Sequence, residues 1–446
     1  MDNIFKTNVV KSIDRRKEEI IAFGEDVFDN PETGYKEFRT SGKVAEKFKE
    51  LGLSFIEAGN IPGVKATIDT GKPGPGLAIM GELDSVICRE HPASDKKTGA
   101  VHACGHNVQI ADMIGAAIGL LDSGVLEHLS GKIHFIAVPA EEYIEIAFRK
   151  ELRENGVIRY LGGKPELLSR GWFDDVQIGA LVHIGSNPGA KMVIPSSSNG
   201  CIVKKIKYIG KAAHAGGAPH KGINALYAAN LGLSAINAIR ETFTEKDYIR
   251  VHPIITKGGD IVNVIPSDVQ METFVRGKTI EAILEANKKV DRALAGSAIS
   301  VGAEVEIEDL PGYFPATYVK KFKDLTKEIM LEMVDENEII ERGHGTGSTD
   351  VGDLSMLMPI IQPYISGSQG GTHSADYKLV DFETAYVLGS KYLALLAVRL
   401  LSNKAKTALE LVEKYNPYFK SKKEYMEFAD KLFAKKYFSA DDINLT

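Results

Sequence analysis

The stretch Lys132-Ile-His-Phe-Ile-Ala-Val-Pro-Ala-Glu-Glu142 decides the fold class of this 446-residue chain. Its first part, Lys132 to Val138, is a nearly continuous apolar run that predicts a strand. Two more strand-like runs, Val64 to Ile68 and Gly76 to Met80, come earlier, and a helical pattern from Val108 to Asp122 lies between them and the quoted stretch. This alternation predicts an α/β domain in which helices cover a largely buried mixed sheet.

The rest of the chain predicts a second domain inserted into the first. Helical patterns cover 9–28, 319–334 and 382–401. From about Asn199, strands and helices follow in the order β-α-β-β-α-β, which is that of a ferredoxin-like α+β domain of about 110 residues. We therefore expect a discontinuous α/β domain, residues 1–198 and 313–446, interrupted by an inserted domain at 199–312.

The composition narrows the possible functions. Apolar residues make up 44% of the chain and charged residues 26%, which is ordinary for a soluble globular protein. The net charge of −6, with no long basic block, gives no electrostatic basis for binding nucleic acid or an anionic membrane. Three cysteines, Cys88, Cys104 and Cys201, are too few and too scattered for a disulfide framework. The first residues lack the apolar run of a secretory signal, so we expect a cytoplasmic protein.

The densest group of chemically active side chains is His102-Ala-Cys-Gly-His-Asn107, directly before the helix predicted from Val108. A thiolate and an imidazole separated by one glycine can both turn towards one metal ion, because glycine relaxes the backbone between them. Taken alone, the Cys104-Gly-His106 segment favours a plainer interpretation, a buried thiol beside a helix-capping histidine.

Further candidate ligands follow other predicted strands and one loop. The pair Glu141 and Glu142 resembles a solvated loop, but the carboxyl end of a strand in an α/β sheet is where ligand sites form. There one carboxylate can bind metal while the other handles protons. His183 ends an apolar run and is by itself more typical of a core residue, whereas His373 lies in a glycine-rich loop. Together with Cys104, these groups supply N, O and S donors for one or two borderline-soft divalent ions such as zinc.

Four segments give the chain a specific resemblance to a known family. They are Val101-His-Ala-Cys-Gly-His-Asn107, Val138-Pro-Ala-Glu-Glu142, Ala213-His-Ala-Gly-Gly-Ala-Pro-His220 and Gly371-Thr-His-Ser374. In their order and spacing the chain resembles the aminoacylase/carboxypeptidase-G family of metal-dependent amidohydrolases and peptidases. The segment Gly347-Ser-Thr-Asp-Val-Gly352 makes it most similar to the cysteine-bridged branch that holds aminobenzoyl-glutamate hydrolase and related dipeptidases.

The resemblance implies a site for two divalent metal ions per subunit, zinc or manganese, with cobalt also acceptable. The thiolate of Cys104 would bridge the two ions, in place of an aspartate used by other branches. His106 and His183 would complete the ligands of one ion, and Glu142 and His373 those of the other. The discontinuous domain would then be the catalytic domain.

The resemblance also implies roles for residues that touch the substrate. Glu141 would be the general base, which takes a proton from the attacking water and returns it to the leaving amine. His214 would reach the active site of the partner subunit in a homodimer formed through the inserted lid and dimerisation domain, and would steady the oxyanion. Asn263 and Arg276 would hold a free carboxylate of the substrate, which suits a guanidinium group. Without the resemblance, Arg276 is better interpreted as a solvated strand end.

One segment departs from the wider family. After the strand ending near Met80, the usual His-x-Asp is replaced by Glu82-Leu-Asp84, so a histidine ligand is absent. Asp84 then either accepts a hydrogen bond from His106 and orients it, or caps a helix, and both alternatives stay open. Asn107 stands where many members of the cysteine-bearing branch have aspartate.

Two functions follow from the sequence. The first is hydrolysis of the amide bond of an N-acyl amino acid, an aminobenzoyl-glutamate-like compound or a small dipeptide with a free carboxylate. The alternative is a catalytically silent relative that uses the cleft for binding or the dimer as a scaffold. The presence of Glu141 together with the full set of candidate ligands favours the enzyme.

Overall fold

The computed structural model describes residues 2–442, and the chain forms two compact units. The first unit comprises residues up to 197, 317–345 and 353–422, and the second comprises 198–316, 346–352 and the residues from 423 onward. The chain therefore leaves the first unit and later returns to it. This confirms the predicted fold class, a discontinuous α/β domain with an α+β insert.

A mixed sheet forms the centre of the first unit. Its strands, in order across the sheet, are Phe55–Glu57, Val64–Asp69, Lys132–Val138, Gly76–Glu82, Ile178–Ala180 and Ile360–Ile361. Val64–Asp69 runs antiparallel to Lys132–Val138, whereas Gly76–Glu82 runs parallel to it. All residues of Gly76–Glu82 are buried, as are those of Lys132–Val138 after Lys132, because these central strands are covered on both faces.

A smaller sheet in the same unit carries His183. Its strands, in order, are Ile339–Glu341, Met192–Ile194, Tyr364–Ile365 and His183–Ile184. Tyr364 pairs with His183 in parallel register, and the two rings lie with their centroids 5.3 Å apart. The contact fixes the position of the imidazole from one side.

Helices cover the sheets of the first unit. They include Asp2–Arg15, Lys17–Phe28, Phe38–Glu50, His106–Asp122, Ile146–Glu154, Gly163–Ser169, Lys320–Met330 and Gly389–Glu413. The helix His106–Asp122 is buried along most of its length because it packs against the strand Gly76–Glu82 and the helices Lys17–Phe28 and Gly389–Glu413. The single helix predicted over 9–28 is instead two helices, because the backbone of Arg16 leaves the helical conformation with φ −112° and ψ 17°.

Among residues 2–442, one helical stretch, Glu383–Glu413, has the length and apolar composition of a membrane span. Its most apolar 18-residue window is 78% buried inside the protein. The backbone also leaves the helical conformation between Ser402 and Ala405, so the stretch is two helical segments joined at a kink.

The second unit contains an antiparallel sheet with two helices packed on it. Its strands, in order, are Arg250–Val251 with Ile254–Lys257, then Asp268–Gly277, Gly200–Ile209, Glu304–Pro311 and Ala434–Phe438. The helices Ala225–Ile239 and Ile280–Ser300 pack against each other and against these strands. Buried and half-buried residues alternate along Asp268–Gly277, the pattern of a strand with one covered face.

The last strand, Ala434–Phe438, adds the tail of the chain to this sheet by pairing with Glu304–Pro311. The ammonium of Lys436 lies 2.6 Å from carboxylate oxygens of both Asp291 and Asp309, which also bind the buried Lys204. The expected boundaries place residues 313–446 in the α/β domain. In the structure, the residues from 423 onward belong to the second unit instead. There Lys436 completes the network of charges around Asp291 and Asp309.

Candidate metal centre

The sheet brings two candidate carboxylate segments to one edge. Glu82 ends its strand opposite Val138, the last residue of the neighbouring parallel strand. The N–H of Leu83 donates to the carbonyl of Val138 at 2.9 Å, which keeps the two chains together beyond the sheet. Because parallel strands end at the same edge, Asp84 and the Glu141-Glu142 pair meet there.

Gly105 turns the backbone so that Cys104 and His106 face the same space. Gly105 has φ 80°, the left-handed conformation that glycine adopts at little cost, and it directly precedes the helix His106–Asp122. A Cβ atom at this position would overlap Cγ2 of Ile184 and would crowd the hydroxyl of Tyr377. The glycine is therefore required both by the backbone conformation and by the space around it.

Two imidazoles lie beside the Cys104 thiol. Nε2 of His183 lies 3.5 Å from Sγ of Cys104. Nδ1 of His183 lies 2.6 Å from the carbonyl oxygen of Ile184, and Nδ1 of His106 lies 2.8 Å from that of Asp84. Since a carbonyl only accepts, each Nδ1 carries the hydrogen, which leaves the Nε2 lone pair of a neutral ring available to a metal ion. Nε2 of His106 is buried and has no hydrogen-bond partner.

Glu142 and His373 form the other side of the group. Oε1 of Glu142 lies 2.8 Å from Nε2 of His373. His373 has φ 62°, an uncommon conformation for a residue other than glycine, and its N–H donates to the carbonyl of Ala103 at 2.9 Å. Its side chain is 51% exposed, whereas those of Glu141 and Glu142 are 9% and 11% exposed. The two glutamates are thus not in a solvated loop.

The donor atoms form overlapping groups. Three sets each have their donor atoms within 4.8 Å of one another: Cys104, His106 and His183; Cys104, Glu142 and His373; and Glu82, His106 and Glu141. Cys104 is shared by the first two sets. A thiolate, imidazole nitrogens and carboxylate oxygens together suit a borderline-soft divalent ion. The buried Nε2 of His106, which has no hydrogen bond, is available to such an ion.

The electrostatics favour the ionised forms of the Cys104 thiol and the Glu142 carboxyl. Burial and the Glu142 carboxylate raise the pKa of the Cys104 thiol, but His106 and His183 bring that pKa down to about 6. Burial likewise opposes ionisation of Glu142, yet the hydrogen bond from His373 holds the pKa of this carboxyl at about 2. Cys104 and Glu142 are therefore both negative at neutral pH, which is the form that binds a cation.

Asp84 lies against His106 and is not at a helix start. Its Oδ1 is 3.2 Å from Nδ1 of His106, and its Oδ2 accepts the N–H of Glu142 at 2.8 Å. Of the two alternatives for this carboxylate, orientation of His106 is therefore the one its contacts support. Asn107 donates to the hydroxyl of Tyr386 at 2.7 Å, away from His106.

The structure adds residues that the sequence pattern does not indicate. The buried guanidinium of Arg149 donates to the carbonyls of Ala140 and Glu142, which holds the turn that carries the two glutamates. Glu82 and Lys164 form a buried ion pair beside His106. The replacement of His-x-Asp by Glu82-Leu-Asp84 is the one sequence signal for Glu82, and Arg149 and Lys164 carry none.

The remaining predicted residues, His214, Asn263 and Arg276, lie on the second unit. The segments of His214 and Asn263 adjoin, because the N–H of Ala215 donates to the carbonyl of Asn263 at 2.9 Å. Arg276 lies on the strand Asp268–Gly277 and donates to Oγ of Ser348 at 2.8 Å.

Comparisons with known proteins show what the chain is similar to. The model of the peptidase family M20/M25/M40 matches residues 78–399. Xaa-Arg dipeptidase of Mus musculus is 27% identical over 423 residues, covering 92% of this chain and 90% of that protein. One chain of the p-aminobenzoyl-glutamate hydrolase of Escherichia coli is 26% identical over 386 residues, covering 75% and 83%. A crystal structure described as a dinuclear metal binding peptidase of Bacillus subtilis superposes with a TM-score of 0.65 and 22% identity, covering 86% and 98%.

Proposed function

The chain belongs to the peptidase family M20/M25/M40 and is a metal-dependent hydrolase of amide bonds, and on that premise we propose its substrate class. It hydrolyses an N-acyl amino acid, an aminobenzoyl-glutamate-like compound or a small dipeptide with a free carboxylate. The similar proteins named above as a dipeptidase and an aminobenzoyl-glutamate hydrolase support this class. The observation that carries the proposal is that donor atoms of Cys104, His106 and His183 lie within 4.8 Å of one another, with Nε2 of His106 buried and without a hydrogen bond.

The proposed cofactor is a pair of divalent ions, zinc or manganese, with cobalt acceptable. Cys104 would bridge them, His106 and His183 would complete one ion, and Glu142 and His373 the other. The overlap of the two donor sets at Cys104 supports this division. Such ions lower the pKa of a water molecule and polarise a carbonyl oxygen.

Glu141 is the proposed general base. Its carboxylate is buried, and Oε2 lies 3.9 Å from Nε2 of His106, so it adjoins the donor set. It accepts a proton from the attacking water and passes that proton to the leaving amine. Arg149 supports this role by holding the carbonyls on either side of Glu141.

His214 is the proposed oxyanion donor, and it acts on the active site of a partner subunit. The N–H groups of Gly216 and Gly217 donate to Nδ1 of His214, at 3.2 and 3.0 Å. Nδ1 is therefore an acceptor, and the hydrogen of the neutral ring is on the exposed Nε2. A ring held in this form can donate to a negatively charged oxygen.

The proposed homodimer forms through the second unit. The strand Ile254–Lys257 is at an edge of the sheet, and its residues Ile254 and Ile255 are 53% and 40% exposed. Tyr227 and Leu231, on the helix Ala225–Ile239 that packs on the same sheet, are 65% and 40% exposed. An open strand edge beside exposed apolar side chains is a surface that a second copy of this chain can cover.

Asn263 and Arg276 are proposed to hold the substrate carboxylate. The guanidinium of Arg276 lies 5.1 Å from the ring centroid of Phe274 and donates to Ser348, so its orientation is restrained. A restrained guanidinium binds a carboxylate in a defined direction. The proposed compartment is the cytoplasm, which suits three cysteines that form no disulfide within residues 2–442.

The test compares two adjacent substitutions. Glu141→Gln is expected to keep its metal content and lose most activity on acyl-amino acids and dipeptides, because only the base is removed. Glu142→Ala is expected to lose metal, measured by elemental analysis. Full activity of Glu141→Gln would overturn the base assignment. If the unaltered protein binds metal but hydrolyses no member of a broad substrate panel, the silent-relative alternative is correct.

A further inference from the structure

Glu82 is a buried carboxylate that the proposed reaction leaves without a role. It ends the central strand Gly76–Glu82 and is 0% exposed. An ionised carboxylate in such a place needs partners, because its transfer from water to the interior is otherwise very unfavourable. Its partners therefore indicate what the residue does.

Lys164 and Gln109 hold Glu82 in a fixed orientation. The ammonium of Lys164, itself 0% exposed, pairs with Oε1 of Glu82. The side-chain N–H of Gln109 donates to Oε2 at 2.7 Å. Each oxygen accepts one hydrogen bond from these two residues and keeps a second lone pair. The carboxylate is thus charged, oriented and still able to interact with a further cation.

The remaining contact of Glu82 is with the metal-binding atom of His106. Oε2 of Glu82 lies 3.3 Å from Nε2 of His106, the buried nitrogen without a hydrogen-bond partner. Glu82, His106 and Glu141 also have donor oxygen and nitrogen atoms within 4.8 Å of one another. The Glu82 carboxylate therefore faces the same space as the proposed ligands.

We propose that Glu82 is an additional oxygen donor for the ion held by His106, and that Lys164 and Gln109 are positioning residues that orient it. This inference rests on the proposed metal-dependent function. An added carboxylate raises the affinity of a thiolate-imidazole site for harder ions. Glu82 therefore contributes more to the affinity for manganese than to that for zinc. Lys164 compensates the extra negative charge, which permits one more carboxylate beside Glu141 and Glu142.

If the Glu82–Lys164 ion pair were purely structural, the effect on metal binding would differ. Four proteins distinguish that role from a metal-binding role. They are the unaltered protein, Glu82→Gln, Lys164→Met and the double variant with both changes. In a purely structural role, Glu82 matters only as the partner of Lys164, so the double variant should bind metal normally. If Glu82 is a metal ligand, the double variant should still bind metal more weakly, although its buried charges are balanced again.

The measurements are thermal unfolding of the metal-free proteins, and manganese and zinc affinity by competition with a chromophoric chelator. Lys164→Met is expected to lower the unfolding temperature, because it leaves the Glu82 carboxylate buried without its cation. The double variant is expected to unfold near the temperature of the unaltered protein. Glu82→Gln and the double variant are both expected to bind manganese about 10–100-fold more weakly, with a smaller loss for zinc. Manganese affinity of the double variant equal to that of the unaltered protein would overturn the inference.

Asp112→Asn is the matched control, because Asp112 is a buried carboxyl on the same helix as His106 that contacts Ser390. It is expected to leave metal affinity unchanged, and a loss as large as that of Glu82→Gln would overturn the specific role of Glu82. If the unaltered protein binds neither metal, the proposed function fails. If it binds both and the Glu82 variants bind equally well, this inference alone fails.

Discussion

Oδ1 of Asp84 lies 3.2 Å from Nδ1 of His106, and the carbonyl oxygen of Asp84 lies 2.8 Å from the same nitrogen. One residue thus supplies two acceptors to one N–H. The contact sets the tautomer of the neutral ring and turns its Nε2 towards Oε2 of Glu82, 3.3 Å away. A carboxylate in this position also makes the imidazole a better metal ligand.

Asp84→Asn is expected to weaken metal binding about 10–100-fold, because an amide makes the imidazole a weaker metal ligand than a carboxylate does, and its NH₂ group can face the ring N–H, donor against donor. Metal content after dialysis and affinity by chelator competition measure this. Asp26→Asn is the control, since Asp26 pairs with Arg39 at the surface. Equal affinity of the two variants would contradict the positioning role of Asp84.

Gly105→Ala is expected to destabilise the first unit and to remove metal. The left-handed conformation costs an L-residue about 1–2 kcal/mol, and overlap with Ile184 adds about 1–3 kcal/mol. Gly124→Ala is the control, because Gly124 has φ 74° but nothing within 4 Å of an added Cβ. It bears the conformational cost alone. Thermal unfolding and metal analysis should separate the two variants, and identical behaviour would contradict the packing argument.

Lys204→Met is expected to destabilise the second unit by about 3–5 kcal/mol, because it leaves Asp291 and Asp309 buried with one partner ammonium fewer. Hydrogen exchange of the strand Gly200–Ile209 reports this locally. Lys207→Met on the same strand is the control, since Lys207 is exposed and lies 3.8 Å from Asp268. Equal exchange rates in the two variants would show that the network contributes little.

His134 is expected to make the first unit sensitive to acid. Burial, and then the charge of Lys65, lowers the pKa of this histidine to about 4 in the folded protein. An unfolded chain has a histidine pKa of about 6.5, so it binds the proton first as the pH falls. The stabilising effect of the neutral ring is therefore complete above about pH 6.5 and is lost progressively towards about pH 4.

The measurement for His134 is the unfolding temperature at pH 7 and pH 5. The unaltered protein should lose more than His134→Gln between these values, whereas His252→Gln, an exposed site, should behave as the unaltered protein does. Parallel losses in all three proteins would refute the assignment to His134.

The sequence alone determined the features that depend on local pattern. The apolar run at Lys132–Val138 predicts the observed strand with the same bounds, because a buried strand must be continuously apolar. The order of elements in the insert likewise predicts its sheet. The Cys104-Gly-His106 segment places two candidate donors within three residues, so their proximity follows from the chain itself.

Only the tertiary structure decided the contacts between distant segments. Glu82 and Lys164 meet because the helix Gly163–Ser169 packs against the strand Lys132–Val138, which pairs with the strand that ends at Glu82. Neither residue carries a local signal of the other. The tail strand Ala434–Phe438 contains two adjacent lysines, a composition that also fits a surface segment. Its pairing is decided by the open strand Glu304–Pro311 and by the charge of Lys436. Periodicity specifies which face of an element is buried, whereas the partner of a buried charge is specified only when the elements pack together.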